Sequence, residues 1–281
     1  MKKIGAFLMS LLIAGSTIEA AQNRIQIKGS DTMVNLAQAW AEAFMAAHPD
    51  VALAVTGGGS GTGIASLING TCDLAESSRS MKAEEIEQAK KKGRDPKEFV
   101  VALDALTVVV HPSNPVRQLT IEQLSDIFTG KITNWKSMGG PDHPIVALSR
   151  ERNSGTHVYF LENVVRKGNE KGPEEYDPGI LMMPSSQAIA EEVSKNPDAI
   201  GYFGLGYLTS QEKAIAVAKT PAGPFIEPTL ETASKGIYPI ARSLFFYTPG
   251  EPKGNVKAFI DFALSPQGQK IVQEMDFVPL K

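Results

Sequence analysis

The chain has 281 residues, 42% of them hydrophobic and 21% charged, and its formal net charge at pH 7 is −3. This ordinary globular composition excludes long disorder, collagen and coiled coil, and the slightly acidic balance argues against a general nucleic-acid binder. Cys72 is the single cysteine, so no intrachain disulfide can form, and with only four histidines a structural zinc site is not expected either.

The first twenty residues have the pattern of a secretory signal peptide. Lys2 and Lys3 form a basic start, and small residues near Ala20 provide a cleavage site after the apolar stretch. The alternative, a membrane anchor, would need about 20 apolar residues, and this stretch is shorter. The sequence therefore predicts cleavage after Ala20 and export. A single thiol in an exported chain favours the bacterial periplasm over a disulfide-stapled extracellular module.

Apolar runs alternate with helical periods along the rest of the chain. Short apolar, often β-branched runs predict strands at residues 25–27, 51–55, 72–75, 99–110, 145–148, 199–203 and 244–247. Helical spacing and end signals predict helices at residues 33–47, around 64–68, and at 82–92, 120–128, 155–165, 186–194, 256–264 and from 266 onwards. This repeated strand–helix alternation predicts an α/β fold with largely parallel sheets. The stretches 166–184 and 209–236 are polar and show little periodicity.

Three segments share one design, in which a strand is followed by a loop of Gly, Ser and Thr and then by a helix. They are residues Gly29–Thr32, Gly57–Gly63 and Asn153–Thr156. A helix N-terminus presents unpaired N–H groups and a partial positive charge, and glycine lets the backbone approach a ligand closely. Each loop can therefore bind an anion. The simpler interpretation of any one loop is a helix N-cap, but three of them in one chain favour an anion site.

Two arginines lie close to these loops. Arg79 follows two serines, and Arg150 lies four residues before Ser154, directly after an apolar strand. The planar guanidinium matches a tetrahedral oxyanion and keeps its charge, although most arginines form surface salt bridges instead. Open α/β sheets bind ligands at the carboxyl ends of their strands, so the position of Arg150 favours a binding role.

Motifs of nucleotide binding and of hydrolysis fail in the glycine-rich loop. Ile64 stands where a Walker motif needs lysine, and Thr62 stands where a nucleophile elbow needs its last glycine. The dinucleotide fingerprint lacks its third glycine at the same two positions. His157 could act as a general base near Ser154, but no orienting carboxylate can be assigned. The four histidines show no metal-ligand spacing, and no cofactor is expected.

Taken together, these motifs resemble the substrate-binding proteins of bacterial phosphate ABC transporters, which belong to the type II periplasmic binding-protein superfamily. The resemblance covers essentially all of residues 24–281, and the order and spacing of its motifs are specific. The similar stretches are IQIKGSDTMVNLAQAWAEAF, GGGSGTGIASLINGTCDLAESSR, TIEQLSDIFTGKITNW, SRERNSGTH, AIGYFGLGYL and ALSPQGQKIV.

The resemblance implies a two-lobed α/β fold with mostly parallel sheets flanked by helices. Two crossover strands, near residues 104–109 and 238–246, would join the lobes, with the ligand in the cleft between them. The implied boundaries are a signal peptide at 1–20, the first lobe at 21–105, the second lobe at 106–238 and a return to the first lobe at 239–281.

The resemblance also implies the ligand-binding residues, carried over motif by motif. In the first lobe these are Ser30, Asp31, Thr32, Ser60, Gly61, Ser78 and Arg79, and in the second lobe Arg150, Ser154, Gly155 and Thr156. Some family members carry an aspartate where Ser78 stands, and that carboxylate accepts a proton from hydrogen phosphate. Asp31 could supply this acceptor instead, or it could cap the helix that follows it.

The function implied by the resemblance is solute binding. The protein would capture inorganic phosphate by hinge closure and deliver it to the permease subunits of an ABC transporter in the membrane. It would be periplasmic, monomeric and non-enzymatic, with no nucleic-acid partner. The alternatives are a receptor of the same fold for sulfate or molybdate, and an enzyme such as a secreted phosphoesterase. The enzyme would need a nucleophile–base pair or a metal cluster, and the sequence shows neither.

Overall fold

The computed structural model describes residues 23–280, so the predicted signal peptide lies outside the described residues. The strands are β1 (Arg24–Gly29), β2 (Ala52–Thr56), β3 (Leu74–Ser77), β4 (Lys97–Val110), β5 (Gln118–Thr120), β6 (Val146–Arg150), β7 (Leu181–Met183), β8 (Ala199–Gly204), β9 (Lys213–Ala214), β10 (Ala216–Ala218) and β11 (Ala241–Thr248). The α-helices are α1 (Val34–Ala47), α2 (Ser60–Asn69), α3 (Ala83–Lys91), α4 (Ile121–Phe128), α5 (Gly155–Phe160), α6 (Ser186–Lys195), α7 (Leu230–Ser234), α8 (Gly254–Leu264) and α9 (Pro266–Glu274).

One nine-stranded sheet runs through the molecule in the order β2-β1-β3-β11-β4-β8-β6-β7, with β9 added on β4. The pairings among β1, β2 and β3, which we call the first arm, are parallel, and so are those among β6, β7 and β8, the second arm. In the middle, β11 pairs antiparallel with β3 and β4, and β4 pairs antiparallel with β8. The predicted α/β fold is confirmed, and its antiparallel strands are those that connect the arms.

The long strand β4 links the two arms. Its residues 97–105 pair with β11, and its residues 106–110 pair with β8. β4 and β11 run side by side because they pair with each other, and β11 also pairs with β3. Their ranges overlap the two segments in which the resemblance implies crossover strands. The lobe boundaries given above stay a prediction. At the predicted boundary between residues 105 and 106, β4 changes its partner from β11 to β8.

Each arm buries its own apolar cluster. In the first arm, the Trp40 ring of α1 packs edge-on against Phe246 of β11, with 5.5 Å between ring centroids. In the second arm, Phe160 of α5 stacks on Tyr202 of β8 at 3.8 Å. Separate cores allow the arms to move as units about their connections.

Several predicted helix ends are confirmed by their capping bonds. The Thr120 hydroxyl accepts from the N–H of Gln123 at 3.1 Å, and the Gln123 side chain accepts from the N–H of Thr120 at 2.8 Å, which is the predicted capping box at the start of α4. Pro266 stands in the first turn of α9 behind the cap Ser265, as predicted.

Other boundaries differ from the prediction. The helix predicted at 155–165 is α-helical only to Phe160 and continues as a π-helix over Leu161–Val165. The strand predicted at 72–75 begins two residues later, at Leu74. The polar stretches contain β7, β9, β10 and α7, and elements this short leave no periodic signal in a sequence. Within residues 23–280, no helix is both long enough and apolar enough to span a bilayer.

Candidate functional site

The three Gly/Ser/Thr loops lie at the carboxyl ends of parallel strands. The loops after β1 and β2 and the segment at Ser78 after β3 end on one edge of the first arm, because parallel strands finish on the same side. The loop Asn153–Thr156 follows β6, whose last residue is Arg150, in the second arm. The two sets of loops face each other across the junction of the arms.

Direct hydrogen bonds join the loops of the two arms. The N–H of Gly61 donates to the carbonyl of Asn153 at 2.9 Å, and the Asn153 amide donates back to the carbonyl of Gly58 at 2.8 Å. The hydroxyl oxygens of Thr32 and Thr156 lie 2.8 Å apart. The structure therefore brings all three predicted loops together.

The hydroxyl side chains of these loops are buried. The six predicted ones are at most 3% exposed and are Ser30, Thr32, Ser60, Ser78, Ser154 and Thr156. We call them the hydroxyl cluster. Buried hydroxyls need hydrogen-bond partners, so a cluster of this size at an interface between loops is suited to a ligand with many acceptor oxygens.

Gly155 allows a close approach between the arms. The N–H of Ser78 donates to the hydroxyl of Ser60 at 3.0 Å, which holds the two serines together. A Cβ atom at Gly155 would lie 2.3 Å from Oγ of Ser60 and 2.6 Å from Oγ of Ser78. Only glycine therefore permits this contact.

The N-cap interpretation holds for one loop and fails for the others. The Ser154 hydroxyl accepts from the backbone N–H groups of Thr156 at 3.2 Å and His157 at 3.4 Å, so it caps α5. Helices α1 and α2 begin after Met33 and Gly59 without any side-chain capping bond. The hydroxyls of the first two loops are thus not used as helix caps.

Asp31 does not cap α1, so that alternative is wrong. Its carboxylate instead reaches across to the second arm, where Oδ2 accepts from the N–H of Ser186 at 3.0 Å and lies 3.1 Å from Nη2 of Arg150. The Tyr207 hydroxyl donates to the backbone carbonyl of Asp31 at 2.7 Å. Asp31 is therefore an ion-pair partner that links the arms.

Arg150 is the last residue of β6, four residues before Ser154, and it is 1% exposed. Besides Asp31, its guanidinium donates to the hydroxyl of Ser186 at 3.0 Å and to the carbonyl of Pro184 at 2.9 Å. Burial lowers the pKa of Arg150, and the nearby Asp31 carboxylate opposes that shift. These partners orient a buried cation at the carboxyl end of β6.

Arg79 follows Ser78 of the hydroxyl cluster, but its side chain is held by an ion pair. Its two terminal nitrogens donate to the carboxylate of Glu85 on α3, at 2.8 and 2.7 Å. It lines a cavity of about 940 Å³ between the arms, together with Ser78, Lys82 and Arg242. The ion pair that a lone arginine usually forms is present here, and a role of Arg79 in ligand binding stays a prediction.

Sequence analysis missed Arg242 and Asp104. Arg242 on β11 donates to the Asp104 carboxylate on β4 through Nε at 3.0 Å and Nη2 at 2.8 Å, and both side chains are almost fully buried. Nη2 also contacts the hydroxyls of Thr156 at 3.0 Å and Thr32 at 3.4 Å. A sequence signal for this pair was available. Asp104 and Arg242 are opposite charges inside two apolar strands, and buried charges need a partner.

His157 is unsuited to the role of general base for Ser154. Its ring nitrogen Nδ1 lies 2.8 Å from the carbonyl of Arg150, and Ser154 contacts only its backbone N–H. Burial lowers the pKa of His157 to about 4, so the ring is neutral and Nδ1 donates. Within residues 23–280, no three His, Cys, Asp or Glu side chains are grouped as metal ligands.

Comparison with known proteins places this arrangement in a family. Residues 14–267 match a family model described as the PBP superfamily domain. The phosphate-binding protein PstS of Pseudomonas aeruginosa is 33% identical over 269 residues, which cover 90% of this chain and 81% of that protein. PstS of Bacillus subtilis is 33% identical over 266 residues, with 93% and 82% covered.

A solved structure agrees with these relatives. The crystal structure of a putative phosphate ABC transporter substrate-binding protein with bound phosphate, from Clostridium perfringens, is similar at a TM-score of 0.82 and 35% identity, covering 92% of this chain and all of that one. The chain therefore belongs to the PBP superfamily and, within it, to the family of the phosphate-binding protein PstS.

Proposed function

We propose that this protein captures inorganic phosphate between its two arms and delivers it to the permease subunits of an ABC transporter. The observation that carries the proposal is the hydroxyl cluster, which loops from both arms build at their junction. The buried Arg150 ends β6, just before the loop Asn153–Thr156, and it pairs with Asp31 of the first loop. Its relatives are phosphate-binding proteins by name, and one was solved with bound phosphate.

The loops offer the chemistry that a dehydrated oxyanion needs. Hydroxyls and backbone N–H groups donate without carrying charge, and Arg150 supplies a positive charge that burial does not remove. Hydrogen bonds to charged groups contribute about 1.5–3 kcal/mol each, and several are needed to offset the desolvation of the anion. The proposed ligand-binding residues are those of the hydroxyl cluster with Gly61, Gly155 and Arg150, with Asp31 orienting Arg150 and Arg79 at the rim of the cleft.

A second candidate ligand is another tetrahedral oxyanion, such as sulfate or molybdate. It is supported by the presence of a hydroxyl, and not a carboxylate, at Ser78. A hydroxyl stands in the hydroxyl cluster where some relatives offer a carboxylate. Oδ2 of Asp31 already accepts from Ser186 and faces Arg150. Hydrogen phosphate needs an acceptor for its proton, whereas sulfate, which is fully ionised, does not.

Calorimetric titration of the mature protein, stripped of bound anion, tests this function. One-to-one binding of phosphate without binding of sulfate supports the phosphate receptor. Binding of both anions would make it a general oxyanion receptor, and binding of neither would overturn the proposal. If Asp31 accepts the phosphate proton, Asp31→Asn weakens phosphate more than sulfate; an equal effect on both excludes that role.

The proposal includes an extracytoplasmic location, a monomeric receptor and no catalysis. The closed form would dock on the permease in the membrane. A catalytic role is tested separately with a generic phosphate ester, whose turnover by the mature protein would contradict a pure receptor. Phosphate uptake by a strain that lacks the chromosomal gene, with and without a plasmid copy, tests delivery to the transporter.

A further inference from the structure

Arg242 is a buried cation at the junction between the arms. It lies on β11, one of the two strands that connect the arms, and its guanidinium contacts Thr32 from the first arm and Thr156 from the second. The same side chain lines the 940 Å³ cavity, as does Ser78 of the hydroxyl cluster. Arg242 thus borders both the loops and the space between the arms.

Asp104 occupies only one edge of the Arg242 guanidinium. The carboxylate takes the Nε and Nη2 hydrogens, and its other oxygen accepts from the N–H of Leu205 at 3.2 Å. The guanidinium carbon lies over the ring of Tyr159, 5.5 Å from its centroid. These contacts hold the guanidinium in one orientation, with its remaining edge free of Asp104.

That remaining edge is an unsatisfied donor. Nη1 of Arg242 is buried and has no hydrogen-bond partner within residues 23–280. Guanidinium N–H groups are strong donors, and a buried charged donor without an acceptor has lost its hydration with nothing to replace it. An acceptor of negative charge between the loops would replace that hydration.

Counting hydroxyl protons shows a second donor at the same place. Nη2 of Arg242 donates toward both threonine oxygens, and the bond between Thr32 and Thr156 uses one of their two hydroxyl protons. The other hydroxyl proton is left to donate elsewhere. By donating to both oxygens, Arg242 occupies lone pairs of the threonine pair and holds it in place, while the spare hydroxyl proton and Nη1 both remain donors.

We propose that Arg242 is a second ligand-binding guanidinium, which donates through Nη1 to the bound oxyanion and orients the Thr32–Thr156 pair toward it. This inference rests on the proposed function, because it assumes an oxyanion between the loops. Asp104 is then a positioning residue, which fixes the guanidinium without contacting the ligand.

Two variants of the mature protein test this role by calorimetric titration with inorganic phosphate. Arg242→Lys keeps the positive charge but loses the planar guanidinium with its two terminal nitrogens. The double variant Arg242→Gln with Asp104→Asn removes both charges, so no unpaired charge stays buried. Because each lost hydrogen bond involves charge, we expect phosphate affinity to fall by about ten- to a hundredfold in each. Far-ultraviolet circular dichroism and the melting temperature without ligand report whether each variant folds. If the double variant does not fold, the phosphate affinity of Arg242→Lys alone tests the role of Arg242.

A matched control removes a different arginine pair. Arg166 bonds residues 170–175 after α5, so Arg166→Gln with Glu175→Gln should keep the parent affinity. Folded Arg242 variants that bind phosphate within about twofold of the parent protein, while Arg150→Ala does not bind, would overturn the role of Arg242 and leave the proposed function standing. A parent protein that binds neither phosphate nor sulfate would instead overturn the proposed function.

Discussion

Glu76 is a fully buried acid on β3, and neither of its carboxyl oxygens has a hydrogen-bond partner within residues 23–280. Burial raises its pKa well above the usual carboxyl value, and the negative charge of Asp31 raises it further. Folding therefore favours the protonated acid. The free energy of unfolding should fall as the pH rises from the ordinary carboxyl pKa through this raised value.

Glu76→Gln should remove that pH dependence. The amide is similar in shape and cannot ionise, so we expect the variant to melt above the parent protein at neutral and alkaline pH, with the difference disappearing near pH 4. Thermal melts monitored by circular dichroism across this range measure it. Glu84→Gln, on the exposed side of α3, is the control, and a difference that stays constant with pH would contradict the prediction.

His157 should make the protein sensitive to acid. Burial lowers its pKa to about 4, below the ordinary value of about 6.5, so the unfolded chain binds the proton more readily. Its contribution to stability is complete above pH 6.5 and is lost as the pH falls toward 4. The loss amounts to about 3 kcal/mol over that range and about 2 kcal/mol at pH 5.

Urea unfolding at several pH values checks this prediction. His157→Gln should lose less stability than the parent protein between pH 7 and pH 5, although it starts from a lower value because the bond to Arg150 changes. His111→Gln, in the turn after β4, is the control. Equal losses in the parent and in the His157 variant would show that other groups cause the acid sensitivity.

Individual site residues could be predicted where the signal is local in the sequence, and they were missed where it depends on distant contacts. Ser60 and Ser154 stand in Gly/Ser/Thr loops between a strand and a helix, so their placement could be inferred from neighbours in sequence. Arg242 is oriented by Asp104, which lies 138 residues away, and only the pairing of β4 with β11 brings them together. The engagement of Arg79 by Glu85 likewise depends on how α3 packs, which periodicity does not show.

The helices and strands were predictable where their patterns are long. The capping box at Thr120 and the apolar run of β4 have clear signals, and both are present in the structure. The antiparallel centre of the sheet was not visible, because strand–helix alternation describes only consecutive parallel pairs. The π-helical segment Leu161–Val165 after α5 also leaves no sequence pattern, since a single turn is too short to show a period of its own.

The loop before α5 should act as a latch between the arms through Asn153. Its side-chain amide donates to the carbonyl of Gly58 at 2.8 Å and to the hydroxyl of Thr62 at 3.3 Å. Asn153→Ala removes both bonds and keeps the backbone bond to Gly61. Neutral hydrogen bonds contribute about 0.5–1.5 kcal/mol each, so we expect the loss of two to lower phosphate affinity by about five- to a hundredfold.

Stopped-flow kinetics should assign this loss to faster release of phosphate, because the latch forms after the arms meet. The melting temperature without phosphate should change little. Asn163→Ala is the control, since the Asn163 amide bonds only the Tyr159 carbonyl in its own helical segment. An unchanged release rate in Asn153→Ala would show that the latch does not hold the closed form.

For the whole molecule, two separately packed arms joined by β4 and β11 are the arrangement of a hinge. Periplasmic binding proteins are a known example of closure about such a hinge. The contacts between the arms described above come from the loops and from side chains at or beside the junction, such as Arg150 and Arg242, so the arms can separate without disturbing either core. Closure should therefore depend on the fit between these loops.

Gly155→Ala tests that fit. Its Cβ would lie 2.3 Å from Oγ of Ser60 and 2.6 Å from Oγ of Ser78, too close for any ordinary contact, so the arms could not meet as they do here. The open form has no such clash, and the folded protein should keep the melting temperature of the parent. Overpacking costs about 1–3 kcal/mol, and since only closure bears this cost, phosphate affinity should fall by about five- to a hundredfold or more.

Small-angle X-ray scattering with saturating phosphate separates this explanation from a simple loss of one donor. The parent protein should become more compact when phosphate is added, whereas Gly155→Ala should keep the larger radius of gyration of the open form. Gly250→Ala adds the same methyl group where no atom lies within 4 Å and should behave like the parent. If Gly155→Ala closes and binds phosphate normally, the contact at Gly155 does not limit closure, and the loops must meet in a looser arrangement than the one described.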